Sequence, residues 1–227
     1  MYWLFNSSIG RKVVMSISGI FLVLFLLFHM SMNLTLVFSP DGYNLICSFL
    51  GANWYALVGT MALAAGFFIH ILYASWLTLQ NRRARGSDKY ASSNKTKTEW
   101  AAKNMYILGA IIVLFLLLHM YQFWYRMQFA ELANPAEVVH DGAALVIDLL
   151  SNPLYCICYL LWFVAIWFHL THGVWSVFQS LGLNNATWYP RVKVISNIVA
   201  TIVMIGFAVV PIYFTMHKLL CGGCCGI

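Results

Sequence analysis

The chain has 227 residues, 62% of them hydrophobic and 9% charged, with a formal net charge of +6. A soluble domain carries about 25% charged residues to build a polar skin, so this composition excludes a water-soluble enzyme, and a disordered or fibrous chain with it. What remains is an integral membrane protein.

Five segments reach the roughly 20 apolar residues that a helix needs to cross a hydrocarbon core of about 30 Å. The first, 13–38, carries Gly19 and His29. It is too long for a signal-peptide core and has no small-residue cleavage site after it, so it is expected to stay in the mature protein. The second, 54–79, carries His70 and Trp76, with Gln80 just beyond. A polar, basic loop follows, too short for a second domain. The third, 105–129, carries Gly109 and His119. Within the connection 130–152, the stretch 138–150 mixes apolar and acidic residues and is expected to form a short surface helix. The fourth, 153–181, carries His169, His172, Trp175 and Gln179, and the fifth is 194–216. Helices close their own backbone hydrogen bonds, as lipid demands, and the alternation of a barrel is absent. The expected fold is one all-α membrane domain of five transmembrane helices.

All basic residues except Arg126 and Lys218 fall before helix 1, between helices 2 and 3, or before helix 5. The positive-inside rule therefore puts the N-terminus in the cytoplasm and the C-terminus outside. That topology accounts for the basic loop, and no nucleic-acid partner is expected. The six cysteines then lie at or near the outer face, where an oxidising compartment would permit disulfides. The run Cys221-Gly222-Gly223-Cys224-Cys225 lacks a second ligand pair at usual zinc spacing and a haem-attachment motif, and reads as a flexible tail.

The chain repeats itself. Leu-Phe-Leu-Leu-Phe-His29-Met matches Leu-Phe-Leu-Leu-Leu-His119-Met, with Gly19 and Gly109 each ten residues earlier. His70, Trp76 and Gln80 match His169, Trp175 and Gln179 at identical spacing. Helices 1–2 and 3–4 read as two copies of one hairpin, related by an axis along the membrane normal.

An ionisable group inside a bilayer is a functional hypothesis by default. Each of the first four helices carries one histidine about two-thirds of the way along. Because helix directions alternate, His29 and His119 form one level and His70 and His169 another, roughly 10 Å apart at 1.5 Å per residue. Two histidines per level are too few for a bare metal, but a porphyrin supplies four in-plane nitrogens and needs only two axial ligands. The first four helices are thus expected to form a bundle holding two b haems, with no open position on either iron. Gly66 and Gly173, four residues from His70 and His169, are expected to make room for the macrocycles. The alternatives are polar contacts between helices and a proton-relay transporter. No carboxylate lies in the central part of any helix to support a relay. His172 shares a face with His169, and the repeat register makes His169 the expected ligand, leaving His172 to contact a haem propionate, a quinone or a neighbouring carbonyl.

At this point the sequence resembles the five-helix, two-haem cytochrome b anchor of succinate dehydrogenase and fumarate reductase complexes, over almost its whole length. The most specific stretch is Phe168-His169-Leu170-Thr171-His172-Gly173-Val174-Trp175, followed by Gln179-Ser180-Leu181-Gly182, which is especially similar to bacteroidete-type subunits. The resemblance implies a multi-pass protein of a bacterial inner membrane that works as the membrane subunit of an oxidoreductase. It would bind no dicarboxylate itself. Its partners would be a flavoprotein subunit, a cytoplasmic-side iron–sulfur subunit, membrane lipid and a quinone, expected to be menaquinone. Carried over by position, His70 and His169 would hold the proximal haem and His29 and His119 the distal haem. Trp76 and Trp175 would flank the proximal haem. Quinone chemistry needs a proton acceptor, for which Asp41, His140 and Asp141 are the outer-side candidates, with Asn33, Tyr43, Trp54, Gln122 and Arg126 as possible lining. Trp167 stands where some relatives carry a glutamate. A cytochrome b of a hydrogenase or formate dehydrogenase type complex is the runner-up.

Overall fold

The computed structural model of the chain describes residues 7–51, 53–85, 100–133, 141–183 and 185–221. Lys89, Lys95, Lys97, Glu137, His140, Cys224 and Cys225 lie outside the described residues. Among those described, regular structure is helical throughout. We number the helices α1 (Ser8–Phe38), α2 (Pro40–Phe49), α3 (Trp54–Arg85), α4 (Trp100–Ala133), α5 (Gly142–Leu150), α6 (Pro153–Ser180) and α7 (Trp188–Leu220). Of these, α1, α3, α4, α6 and α7 are long and apolar enough to cross a membrane, which is the build of a multi-pass membrane protein.

Four of the five long helices overrun the apolar segments expected from the sequence, and α6 ends one residue short of its own. An apolar segment stops at the first charge, but helical hydrogen bonding does not. Arg and Lys lay their methylene stems along the helix and carry the charge out toward water. Local chemistry sets the ends. Ser7 starts α1 by accepting the Gly10 N–H at 2.8 Å. Ser39 both ends α1 and starts α2. It precedes Pro40, which disfavours the helical region and leaves Ser39 extended (φ −157°, ψ 105°). Its N–H reaches the Thr35 carbonyl while its hydroxyl accepts the Gly42 N–H. The helix α2 was not anticipated.

The expected surface helix at 138–150 is shorter and not superficial. It begins at Gly142, and Ala143 and Val146 are each only 2% exposed. Its cap, Asp141, accepts from the Ala144 N–H at 2.8 Å and from Asn44 of α2 at 2.9 Å. Asn44 in turn accepts the Ala143 N–H. Thr215 of α7 donates to the Leu150 carbonyl. So α2, α5 and the end of α7 form one cap over one end of the bundle.

The opposite end is basic. Arg11 lies over the Trp76 ring, Arg82 over Tyr106, and Lys193 over both Trp175 and Tyr189. These contacts join the start of α1 to the end of α3, α3 to the start of α4, and α6 to the start of α7. They bring Arg11, Arg82 and Lys193 to one end, as the charge pattern requires.

The core lies chiefly among α1, α6 and α7, where Leu36, Ser196 and Val203 are essentially fully buried. The fifth long helix is therefore part of the packing rather than an outrigger to a four-helix bundle. Large apolar side chains stay exposed along the outer faces, among them Met61, Phe68 and Leu72 on α3 and Ile198, Ile202 and Ile205 on α7. Such a surface would aggregate in water and suits a lipid solvent.

Candidate functional site

The four histidines meet in two pairs. His29 of α1 faces His119 of α4 with ring centres 5.8 Å apart, and His70 of α3 faces His169 of α6 at 6.4 Å. Two imidazoles bound linearly to one metal at about 2 Å per bond would place their ring centres about 6.3 Å apart. Both pairs fall within half an ångström of that. Among the described residues, no three His, Cys, Asp or Glu side chains converge into a protein-only metal site. Each level therefore offers two imidazoles, the number a metal already held by a macrocycle requires.

The second nitrogen of each ring decides which nitrogen is left to act as ligand. The His70 Nδ1 lies 3.1 Å from the Ser18 hydroxyl, whose own proton has the Met15 carbonyl as acceptor at 3.0 Å. That relay makes Ser18 the acceptor and His70 Nδ1–H the donor, which leaves Nε2 bare. Likewise the Tyr159 hydroxyl donates to Gln122 at 2.7 Å and lies 3.4 Å from His119 Nδ1. With that proton on Gln122, the tautomer that lets His119 Nδ1–H donate to Tyr159 is the one that keeps Nε2 for a metal. The His169 Nδ1 is buried, and no protein atom hydrogen-bonds it. His29 differs. Its Nε2 lies 3.4 Å from the Asn33 amide, which makes its shorter bond, 2.8 Å, to the His29 carbonyl. Asn33 can release the ring and keep that backbone bond. The donor set thus fits two bis-imidazole metal centres.

The repeat glycines explain why the His70–His169 pair can form. A Cβ at Gly19 would come within 3.5 Å of the His70 ring, and one at Gly109 within 3.7 Å of the His169 ring. In each hairpin copy the glycine of the first helix therefore lies against the histidine of the second. Gly66 has another role than the one expected. A Cβ there would lie 2.7 Å from two carbons of the Phe21 ring, so Gly66 admits Phe21 rather than a macrocycle. Gly173 has open space beside it.

Beyond His119 the helix winds as a π-helix over Met120–Phe129. Such segments are rare and concentrate at functional sites. Here the winding turns Gln122 inward to Tyr159. It also sets Gln128 to accept from Thr60 and Trp124 and to donate to the Gly51 carbonyl. Sequence reasoning missed Ser18, Tyr159 and Gln128. A hydroxyl or amide in an apolar helix carries no mark of the ring it will meet.

The remaining candidates scatter. His172 packs edge-on against Trp175 at 4.9 Å, three residues along from His169. Trp76 and Trp175 lie at the basic end under their cations. Trp167 donates to Thr201 of α7 at 3.0 Å. Asp41 is exposed in the first turn of α2. Asp141 is occupied as the α5 cap, and the Ala144 N–H holds its carboxyl below the usual carboxylate range. Tyr43 is buried, which pushes its phenol up. Trp54 and Arg126 are exposed. These residues do not converge on one site.

Fold and geometry together define the class: an all-helical chain with five helices able to cross a membrane and two facing histidine pairs at different heights. No protein-family model, curated protein or solved structure matches it.

Proposed function

We propose that the chain is the membrane anchor and electron-transfer subunit of a succinate:quinone oxidoreductase or quinol:fumarate reductase, with one b haem held between the histidines of each pair. The observation that carries this reading is the facing of His29 with His119 and of His70 with His169, each near the separation that one iron would impose. The family resemblance of the sequence supplies the choice of complex. A haem held by two imidazoles would supply one-electron transfer rather than oxygen binding.

The chain's own residues do the positioning. Ser18 and Tyr159 hold His70 and His119 by their Nδ1 atoms, and Gly19 and Gly109 clear the space that His70 and His169 occupy. The N-terminus and the basic end face the cytoplasm in this reading, where Arg11, Arg82 and Lys193 suit the acidic groups of haem propionates or of an iron–sulfur partner. Quinone binds toward the other end. Of the proton acceptors considered there, Asp141 is committed to its helix cap, which leaves Asp41 as the described carboxylate candidate.

The test is to isolate the chain from its native membrane and add succinate. A co-purified flavoprotein and iron–sulfur protein, with b-haem absorbance that succinate reduces, is the expected result. Reduction by hydrogen or formate but not succinate would assign the haems to another complex. No Soret band, with substrate uptake by vesicles, would replace the reading with a transporter.

A further inference from the structure

Toward the basic end, His70 and His169 are followed by the same ladder of side chains. Three residues on, about 4.5 Å along the axis, come Tyr73 on α3 and His172 on α6. Three further on come Trp76 and Trp175. Side chains three apart share a face. In each copy the two rings pack together, Tyr73 with Trp76 at 6.1 Å and His172 with Trp175 at 4.9 Å. A cation from another helix lies over each tryptophan, Arg11 of α1 at 5.6 Å and Lys193 of α7 at 5.6 Å. The repeated hairpin thus ends in two matching half-sites, each beyond one histidine of the same pair.

Each half-site also holds one buried donor. Tyr73 is 9% exposed and Trp175 8% exposed. Among the described residues, no protein atom hydrogen-bonds the Tyr73 hydroxyl or the Trp175 indole nitrogen. Buried polar groups are rarely left so without a use. An indole N–H can only donate, so its partner must be an acceptor. Arg11 and Lys193 favour an acceptor that is an anion. Two half-sites on two helices then call for one ligand with two acidic groups. Burial decides where that ligand comes from. The acidic surface of a partner subunit or a lipid phosphate could meet the cations from outside, but it would not reach Tyr73 or Trp175. A b haem between His70 and His169 would bring two acidic arms from within, because both of its propionates leave one edge of the ring.

We propose that Tyr73 and Trp175 donate hydrogen bonds to the two haem propionates, one from each copy of the repeat, with Arg11 and Lys193 balancing their charge. This rests on the reading of the His70–His169 pair as a haem site. It adds an orientation to that reading, with the acidic edge of the macrocycle turned to the basic end. Hydrogen bonds from buried donors to a carboxylate are charge-assisted and stronger than neutral ones.

The experiment uses the full chain in detergent, carrying His29→Ala so that only the His70–His169 pair can hold haem. It is loaded with haem b or with haem b dimethyl ester, whose propionates are uncharged. Loss of each to an excess of a haem-scavenging apoprotein is followed by absorbance. The ester should leave about 10-fold or more faster than haem b. Adding Tyr73→Phe keeps the ring and should speed loss of haem b by about 10-fold or more. It should speed loss of the ester by less than about threefold, since a neutral carbonyl accepts a weaker bond. Lys193→Gln should show the same preference for the charged haem. The haem-free Tyr73→Phe chain should melt no lower than its parent, because it no longer buries an unpartnered hydroxyl. Equal acceleration of both haems, or of neither, would overturn the proposal. A chain that takes up neither haem would instead overturn the reading of the pair on which the proposal rests.

Discussion

Around His29 and His119 the protein is crowded and aromatic, whereas around His70 and His169 it is relieved by glycine. His119 touches Phe123, Tyr159 and Trp162, and His29 touches Phe25 and Phe207 of α7. The other pair has Gly19 and Gly109 against its rings and the Ser18 hydroxyl 3.1 Å from His70 Nδ1. The two pairs fall at matching positions of the repeated hairpin, and Phe207 of α7 and Phe123 of the π-helix pack against the first. The repeat thus places four histidines, and the unrepeated elements make the two levels unlike. Unlike surroundings are what give two chemically identical centres different redox potentials.

The largest effect that would break this comparison comes from the ligands. His169→Ala or His70→Ala should leave about one haem per chain with the other pair intact, and His29→Ala or His119→Ala should do the reverse, read by pyridine haemochrome content. His172→Phe should keep both haems. Loss of both haems from any single variant would mean that the levels are not separate.

A steric test comes next. Gly109→Ala should be tolerated, because its Cβ would meet the His169 ring at ordinary contact distance. Gly109→Leu should displace the ring and remove that pair's haem alone. Retention of both haems in the leucine variant would show that the glycine contact does not govern the pair.

Smaller effects sharpen the contrast. Tyr159→Phe leaves the buried Gln122 carbonyl without its donor and should cost about 1–3 kcal/mol of stability, seen as a lower Tm, with both haems retained. Its spectroscopic change should be confined to the His29–His119 centre. Ser18→Ala should cost about 0.5–1.5 kcal/mol and shift the electron paramagnetic resonance signal of the other centre only. A shift at the wrong centre in either variant would contradict the assigned hydrogen bonds.

Much of this architecture is legible in the sequence. Five apolar runs, one-sided charge and four histidines in a repeat are enough to expect the spans, the common basic end and the two pairs. The helix faces are harder. A helix apolar nearly all round has no stripe to show which side turns inward, so the histidines are the main markers of its inner face. This is why Gly19 and Gly109 are visible as a repeat but their contact with the opposite histidines is not, and why Gly66 is assigned the wrong neighbour. The helix α2 escapes notice because its start depends on Ser39 serving two helices at once. Asp141 reads as a free carboxylate until Asn44 and the α5 backbone are seen to occupy it.

The most direct measurement is the haem count of the purified wild-type chain, by pyridine haemochrome assay with a reduced-minus-oxidised spectrum. About two b haems per chain is the expected result. A well-folded preparation, made with haem available, that contains none would contradict the central claim and return the four histidines to packing between helices.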